Sequence, residues 1–155
     1  MVIVLTENNG FKKIDWTMIQ VTETYPTFRF LTRIIVNKDV YYSTQSLESV
    51  MNEICQTSGS TYVGRVKAAR KLLNMSRLPP ILVGYQMKAI VAIPFPKVGG
   101  GYAYLFCPSF IAEPTQDGTM LISITENIEL KVSLGERAFK NRIQKADALI
   151  RLMKL

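Results

Sequence analysis

Arg65, Lys67, Arg70, Lys71 and Arg77 carry the most concentrated chemistry in this chain, and that chemistry is phosphate binding. All five lie within Gly59–Pro80, which contains no Asp or Glu. Clustered cations without neighbouring carboxylates neutralise a polyanion and release its counterions. The acid-free interval is longer still. Residues 54–112 hold seven bases and no acid, whereas residues 1–53 net −1 and residues 113–155 net +1. The whole +7 charge therefore originates in the middle third, an asymmetry that points to a phosphate-rich partner. The competing reading is a basic protein whose charged face is merely solvated. Solvated helix faces usually mix signs, because Glu–Lys pairs four residues apart stabilise them.

Other chemistries lack their residues. The chain has no histidine, which removes the commonest general base and the imidazole metal ligands. Cys55 and Cys107 are isolated and read as small buried hydrophobes, not as a zinc site. They fit a reducing, cytoplasmic setting. The twelve carboxylates form no recognisable acid–base motif. Gly99-Gly100-Gly101 lacks the Lys-Ser/Thr that follows a phosphate-binding loop, and reads as a mobile loop. No enzyme activity, cofactor or metal is expected.

The elements that must position the basic residues follow from periodicity. Leu47, Val50, Met51, Ile54 and Cys55 mark one face of a helix over 45–57, with Ser43 or Thr44 as its cap and Gly59 beyond its end. Ser60 caps a second helix over 61–75, whose apolar stripe is Tyr62, Val66, Ala69 and Leu73. At 100° per residue, Gly64, Lys67, Ala68 and Lys71 occupy the opposite face, flanked by Arg65 and Arg70. Small residues beside lysines let the backbone approach a phosphate chain closely. The two helices and the turn Thr57-Ser58-Gly59-Ser60 resemble a helix-turn-helix unit.

The flanking sequence reads as β-structure. Residues 1–42 suggest antiparallel strands at Val2–Leu5, Trp16–Thr22, Phe28–Ile35 and Val40–Tyr42, with turns at Asn8-Asn9-Gly10 and Asn37-Lys38-Asp39. Residues 81–133 suggest hairpins, with strands at Ile81–Val83, Ala89–Ile93, Tyr102–Phe106, Thr119–Thr125 and Ile128–Ser133. Gly84-Tyr85 marks a loop between the first two of these. A C-terminal helix over 135–153 places Phe139, Ile143, Ala146, Ile150 and Met153 on one side. Its outer face, with Arg137, Asn141 and Lys145 diluted by Glu136 and Asp147, reads as solvated. The expected class is α+β: antiparallel strands around a central helix-turn-helix-like pair, in one domain spanning 1–155. No apolar run reaches the ~20 residues of a membrane span, and the early acid Glu7 argues against a signal peptide.

The element Gly59-Ser60-Thr61-Tyr62-Val63-Gly64-Arg65 resembles the Gly-Ser-Ser/Thr-Tyr-x-Gly-Arg signature of the competence transcription factor (ComK) family of Gram-positive bacteria. Pro79-Pro80-Ile81-Leu82-Val83 is similar to that family's Pro-Pro-Ile-x-Val segment. Ile93-Pro94 and the Phe139-x-Asn141-Arg142 positions match further motifs in order. The resemblance covers roughly residues 45–149. It implies a transcription factor that binds paired AT-rich promoter boxes, mainly through the minor groove, with DNA bending and more than one subunit per site. It carries over Ser60, Tyr62, Gly64 and Arg65 as DNA-binding positions. Lys67, Arg70, Lys71 and Arg77 join them from charge and spacing. The implied partners are double-stranded DNA and a second copy of the chain, with no membrane, in a cytoplasmic, nucleoid-associated setting. Longer members continue with a polar tail linked to activation and adaptor-controlled proteolysis. This sequence ends at Leu155, which leaves an adaptor partner open.

Two other classes use the same basic face. An RNA-binding protein would add Tyr85, Tyr102 and Tyr104 as stacking platforms. A non-catalytic interaction module would meet an acidic protein.

Overall fold

In the computed structural model, residues 2–5, 14–86, 88–106 and 110–153 are described. Among them, three helices and ten strands form an α+β fold. The strands are β1 (Val2–Leu5), β2 (Ile19–Thr24), β3 (Thr32–Val36), β4 (Asp39–Ser43), β5 (Ile81–Gln86), β6 (Lys88–Pro96), β7 (Tyr102–Leu105), β8 (Ile111–Pro114), β9 (Met120–Thr125) and β10 (Ile128–Val132). The helices are α1 (Leu47–Gln56), α2 (Tyr62–Leu73) and α3 (Glu136–Met153). A seven-stranded sheet runs in the order β1-β4-β3-β2-β7-β6-β5, and a three-stranded sheet in the order β10-β9-β8. The small sheet hangs from the end of β6. Ser133 N–H donates to Pro96 O at 2.8 Å and Val98 N–H to Lys131 O at 3.0 Å.

Several expectations are corrected. β1 pairs with β4 in parallel, so residues 1–42 are not wholly antiparallel. The start of the expected Trp16–Thr22 strand is a one-turn 3₁₀ helix, Trp16–Met18, because Asp15 accepts from Thr17 N–H and winds the chain. Phe28–Leu31 lies in the β2–β3 connection, not in β3. Gly84-Tyr85 is not a loop: β5 continues through it with a register shift between Leu82 and Gly84. Strand β8 has no counterpart among the strands expected from the sequence. On α3, Leu149 is buried and Ile150 is exposed. The Asn8-Asn9-Gly10 turn and Cys107 lie outside the described residues.

The remaining patterning holds. Asn37 and Lys38 both adopt positive φ (47° and 73°) and make the two-residue turn between β3 and β4. Val50, Met51, Ile54 and Cys55 of α1 are buried, as are Val66, Ala69 and Leu73 of α2. Thr22 of β2 donates to Met51 Sδ at 3.2 Å, which sets α1 on that face of the sheet. Tyr104 of β7 lies beside Thr22 and reaches α2 on the same face.

Glu23, Ala103 and Phe95 are aligned across β2, β7 and β6. Glu23 is only 2% exposed, yet carries a carboxylate. Arg33 contacts it at 3.0 Å and Lys97 at 2.8 Å, so the charge is doubly compensated. Both cations also lie over the Tyr25 ring, at 4.5 and 5.6 Å. Glu23→Gln removes the charge that both cations answer. It should destabilise the fold by about 2–3 kcal/mol in urea unfolding. An unchanged midpoint would mean that the triad contributes nothing to stability.

Candidate nucleic-acid interface

The α1–α2 turn is closed by its own backbone. Gly59 has φ +75°, a conformation that favours glycine, and the N–H groups of Gly59 and Ser60 return to Gln56 O and Cys55 O. The N-cap of α2 is Thr61, not Ser60: its hydroxyl accepts from Gly64 N–H at 3.1 Å. A Cβ on Gly64 would lie 2.9 Å from that hydroxyl, so glycine keeps the cap close. Ser60 is diverted elsewhere. Its hydroxyl donates to Cys55 O at 3.1 Å and accepts from Arg65 Nε at 2.8 Å. The cap of α1 is likewise Ser46, not Ser43 or Thr44.

Gly84 explains how the turn meets the sheet. A Cβ there would stand 2.7 Å from Ser58 Oγ. The β5 bulge and its glycine therefore let the turn lie directly on the strand.

Each candidate residue has a definite position. Gly64, Lys67 and Lys71 are exposed on α2, with Val63, Ala68 and Leu72 exposed around them. Arg65 is half-buried at the helix entrance, held to Ser60. Arg70 is exposed in the last turn, and its Nε donates to Arg77 O at 3.3 Å. That bond folds the post-helical segment back, so Arg77 joins the end of α2. Asn74 closes the helix in the left-handed conformation, with φ 53°. Arg70 and Lys71 also sit where the helix dipole favours cations.

Tyr62 points the other way. Its hydroxyl pairs with that of Tyr104 at 2.6 Å, and the rings meet edge to face with centroids 6.3 Å apart. Its N–H donates to Asn52 Oδ1 of α1 at 3.0 Å. Tyr62 therefore pins the start of α2 to both α1 and the sheet, on the side of the helix opposite Lys67 and Lys71. Burial raises the pKa of both phenols, so both stay protonated at neutral pH. Cys55 beneath the turn is pushed up to about 11 by burial, against the opposing pull of Arg65. It is a packed thiol and not a nucleophile at neutral pH.

Among the described residues, the ion pairs are Glu23 with Arg33 and Lys97, Asp117 with Lys131, and Glu136 with Lys140. None involves Arg65, Lys67, Arg70, Lys71 or Arg77. The cations on and beside α2 thus lack intramolecular carboxylate partners within the described residues.

The later motif positions meet one another in space. Arg142 Nη1 of α3 donates to Pro94 O of β6 at 2.7 Å, and Phe139 stacks on Phe95. Burial lowers the Arg142 pKa, and the nearby Arg77 charge acts in the same direction. Arg142, a motif position in the sequence, ties α3 to the sheet near Arg77.

A comparison with known protein families matches residues 15–99 to ComK protein, more than half of the chain. The chain belongs to the ComK family. The Gly59–Arg65 element, helices α1 and α2 and most of the large sheet fall inside the matched region of this transcription-factor family. No curated protein and no solved structure matches the chain. Among the described residues, no helix is long and apolar enough to cross a membrane, and no group of His, Cys, Asp and Glu could hold a metal ion.

Proposed function

We propose that this ComK-family protein acts as one domain that binds AT-rich promoter duplex through the outer face of α2. The observation that carries this reading is the exposed face itself. Lys67 and Lys71 stand one turn apart, among Val63, Gly64, Ala68 and Leu72, with no carboxylate on the helix. Such a surface approaches a phosphate backbone closely and meets no like-charge barrier.

Lys67, Arg70, Lys71 and Arg77 contact phosphates in this scheme. Arg65, held through its Nε by Ser60 at the entrance of α2, enters a narrow minor groove in this scheme. Gly64 gives the backbone room beside it. Tyr62 supports the face from within. AT selectivity then arises from groove width and deformability, not from a base-by-base code. The protein works as a homodimer or larger assembly on paired boxes, in the cytoplasm on the nucleoid. Adaptor control stays an open element of this reading.

Docking of α2 in the major groove, as in a helix-turn-helix protein, would use the same face. Methylation interference at adenine N3 against guanine N7 separates the two. The RNA reading is weakened by Tyr104, which at 1% exposure cannot stack on a base, although Tyr102 is exposed.

Gel shifts with AT-rich duplex, GC-rich duplex and single-stranded RNA test the proposal. Preferential binding of AT-rich duplex is expected, and no shift at low salt would sink it. With about five phosphate contacts, log K should fall against log salt with a slope of about −4 to −5. Lys67→Ala should weaken all duplexes alike and flatten that slope by about one unit. Arg65→Ala should instead weaken AT-rich sites more than GC-rich ones; equal weakening removes Arg65 from the groove.

A further inference from the structure

The β2–β3 connection, residues 25–31, presents one side chain that the core does not use. Phe28 is fully exposed (102%). Its neighbours are held firmly. Tyr25 and Phe30 both pack on Tyr42, with centroids 5.7 and 5.5 Å away. Tyr25 N–H donates to Leu31 O at 2.9 Å, Thr27 N–H to Phe30 O at 2.8 Å, and Leu31 N–H to Ser43 O at 3.0 Å. The Thr27 hydroxyl accepts from Phe30 N–H at 3.0 Å. Phe28 therefore stands on a closed, hydrogen-bonded turn, and its exposure is built into that turn. Exposed Arg29 lies beside it, and residues 24–31 contain no acid.

The tip is braced from one side. An open groove of about 610 Å³ separates Thr24–Thr27 from the turn Lys97–Gly101. Gly101 has φ +78°, and a Cβ there would fall 2.0 Å from Thr24 Oγ1. The two loops interlock at that point, and Tyr102 N–H donates to Thr24 Oγ1 at 3.2 Å. Lys97 bonds Thr24 O at 2.6 Å from the same turn.

We propose that Phe28 is a wedge that enters a base step of duplex DNA, with Arg29 on the adjoining phosphate. A wedge must be apolar, unpacked against its own protein, stiffly mounted and free of nearby negative charge. Phe28 meets the first three, and for the fourth, residues 24–31 carry no acid while Glu23 beyond them is buried and paired with Arg33 and Lys97. The inference rests on the DNA-binding reading above but concerns a different element from α2. It assigns the β2–β3 tip a share of the affinity that does not come from counterion release.

The test uses an AT-rich duplex carrying 2-aminopurine along its length and fluorophores at both ends. Wild type, Phe28→Ala, Phe28→Trp and Lys67→Ala are titrated at several salt concentrations. Phe28→Ala should lose about tenfold in affinity with an unchanged salt slope, because stacking and not charge is removed. It should also lose the 2-aminopurine unstacking signal and the end-to-end shortening that reports a bend. Phe28→Trp should retain all three. Lys67→Ala should show the converse: a flatter slope with unstacking preserved. Because Phe28 is fully exposed, its variants should unfold at the wild-type temperature. If wild type binds but Phe28→Ala matches it in affinity and bend, the wedge is wrong and the α2 reading stands. If wild type binds no duplex, both fail. Phe28-dependent binding to single-stranded RNA or anionic vesicles without duplex binding also overturns the wedge.

Discussion

Reversing both outer lysines of α2, Lys67→Glu with Lys71→Glu, should reduce duplex affinity by more than about a hundredfold at ~0.1 M salt. Each phosphate contact contributes about 0.9 to the slope of log K against log salt. At ~0.1 M, losing one contact therefore costs close to a factor of eight, and losing two costs about sixtyfold. Reversal goes further than loss, because each carboxylate is placed against the phosphate that the ammonium had faced. Both side chains are exposed and join no ion pair among the described residues, so the fold has little to lose. The main cost is a carboxylate near the C-terminal end of the α2 dipole, about 0.3–1 kcal/mol. Fluorescence anisotropy of a labelled duplex measures the affinity, and thermal unfolding measures the fold. Affinity within about threefold of wild type would remove α2 from the interface, whatever the charge asymmetry suggests.

The outer face of α2 was legible because its evidence is local. Tyr62, Val66, Ala69 and Leu73 recur at helical spacing, and the lysines fall opposite by arithmetic. Capping was legible to within a residue at α2 and only to within two or three at α1, where Ser46 caps in place of Ser43 or Thr44. Ser60 and Thr61 are adjacent hydroxyls, and partners five residues away on either side decide between them: Cys55 O and Arg65 occupy Ser60, which leaves Thr61 as the cap. The parallel pairing of β1 with β4 is set by neither strand's pattern. Strand β8 has four residues, including Glu113 and Pro114, too few to show alternation. Gly84 signalled a break, when its missing side chain instead admits Ser58. Phe28 has the aromatic character that favours strands, yet it marks the tip between them. The triad of Glu23, Arg33 and Lys97 joins residues 74 positions apart, and nothing local announces it. The β1–β4 pairing, the contact of Gly84 with Ser58 and the Glu23 triad are choices made by contacts distant along the chain.

Phe139→Ala should produce the largest loss of stability, about 3–5 kcal/mol. Phe139 is buried on α3, stacked on Phe95 at 4.9 Å and edge-on to Phe110 at 6.1 Å. It therefore holds three segments together: α3, β6 and the stretch leading into β8. Each aromatic pair adds about 0.5–1.5 kcal/mol beyond the area it buries. A cavity here cannot close easily, because Arg142 one turn along is fastened to Pro94 O and fixes the helix against the strand. With a total stability of ~5–15 kcal/mol, the variant would lose roughly a fifth or more of it, and Tm should fall by roughly 6–20 °C. Urea and thermal unfolding check this, and a loss under about 1 kcal/mol would show that the stack does not form the hub. The same variant separates support from contact. α3 packs on α2, so Phe139 reaches the basic face only through the fold. Below its unfolding transition, Phe139→Ala should bind duplex with a nearly unchanged salt slope, because no cation has been removed. A flattened slope in the folded variant would mean that packing of α3 sets the position of the lysines on α2.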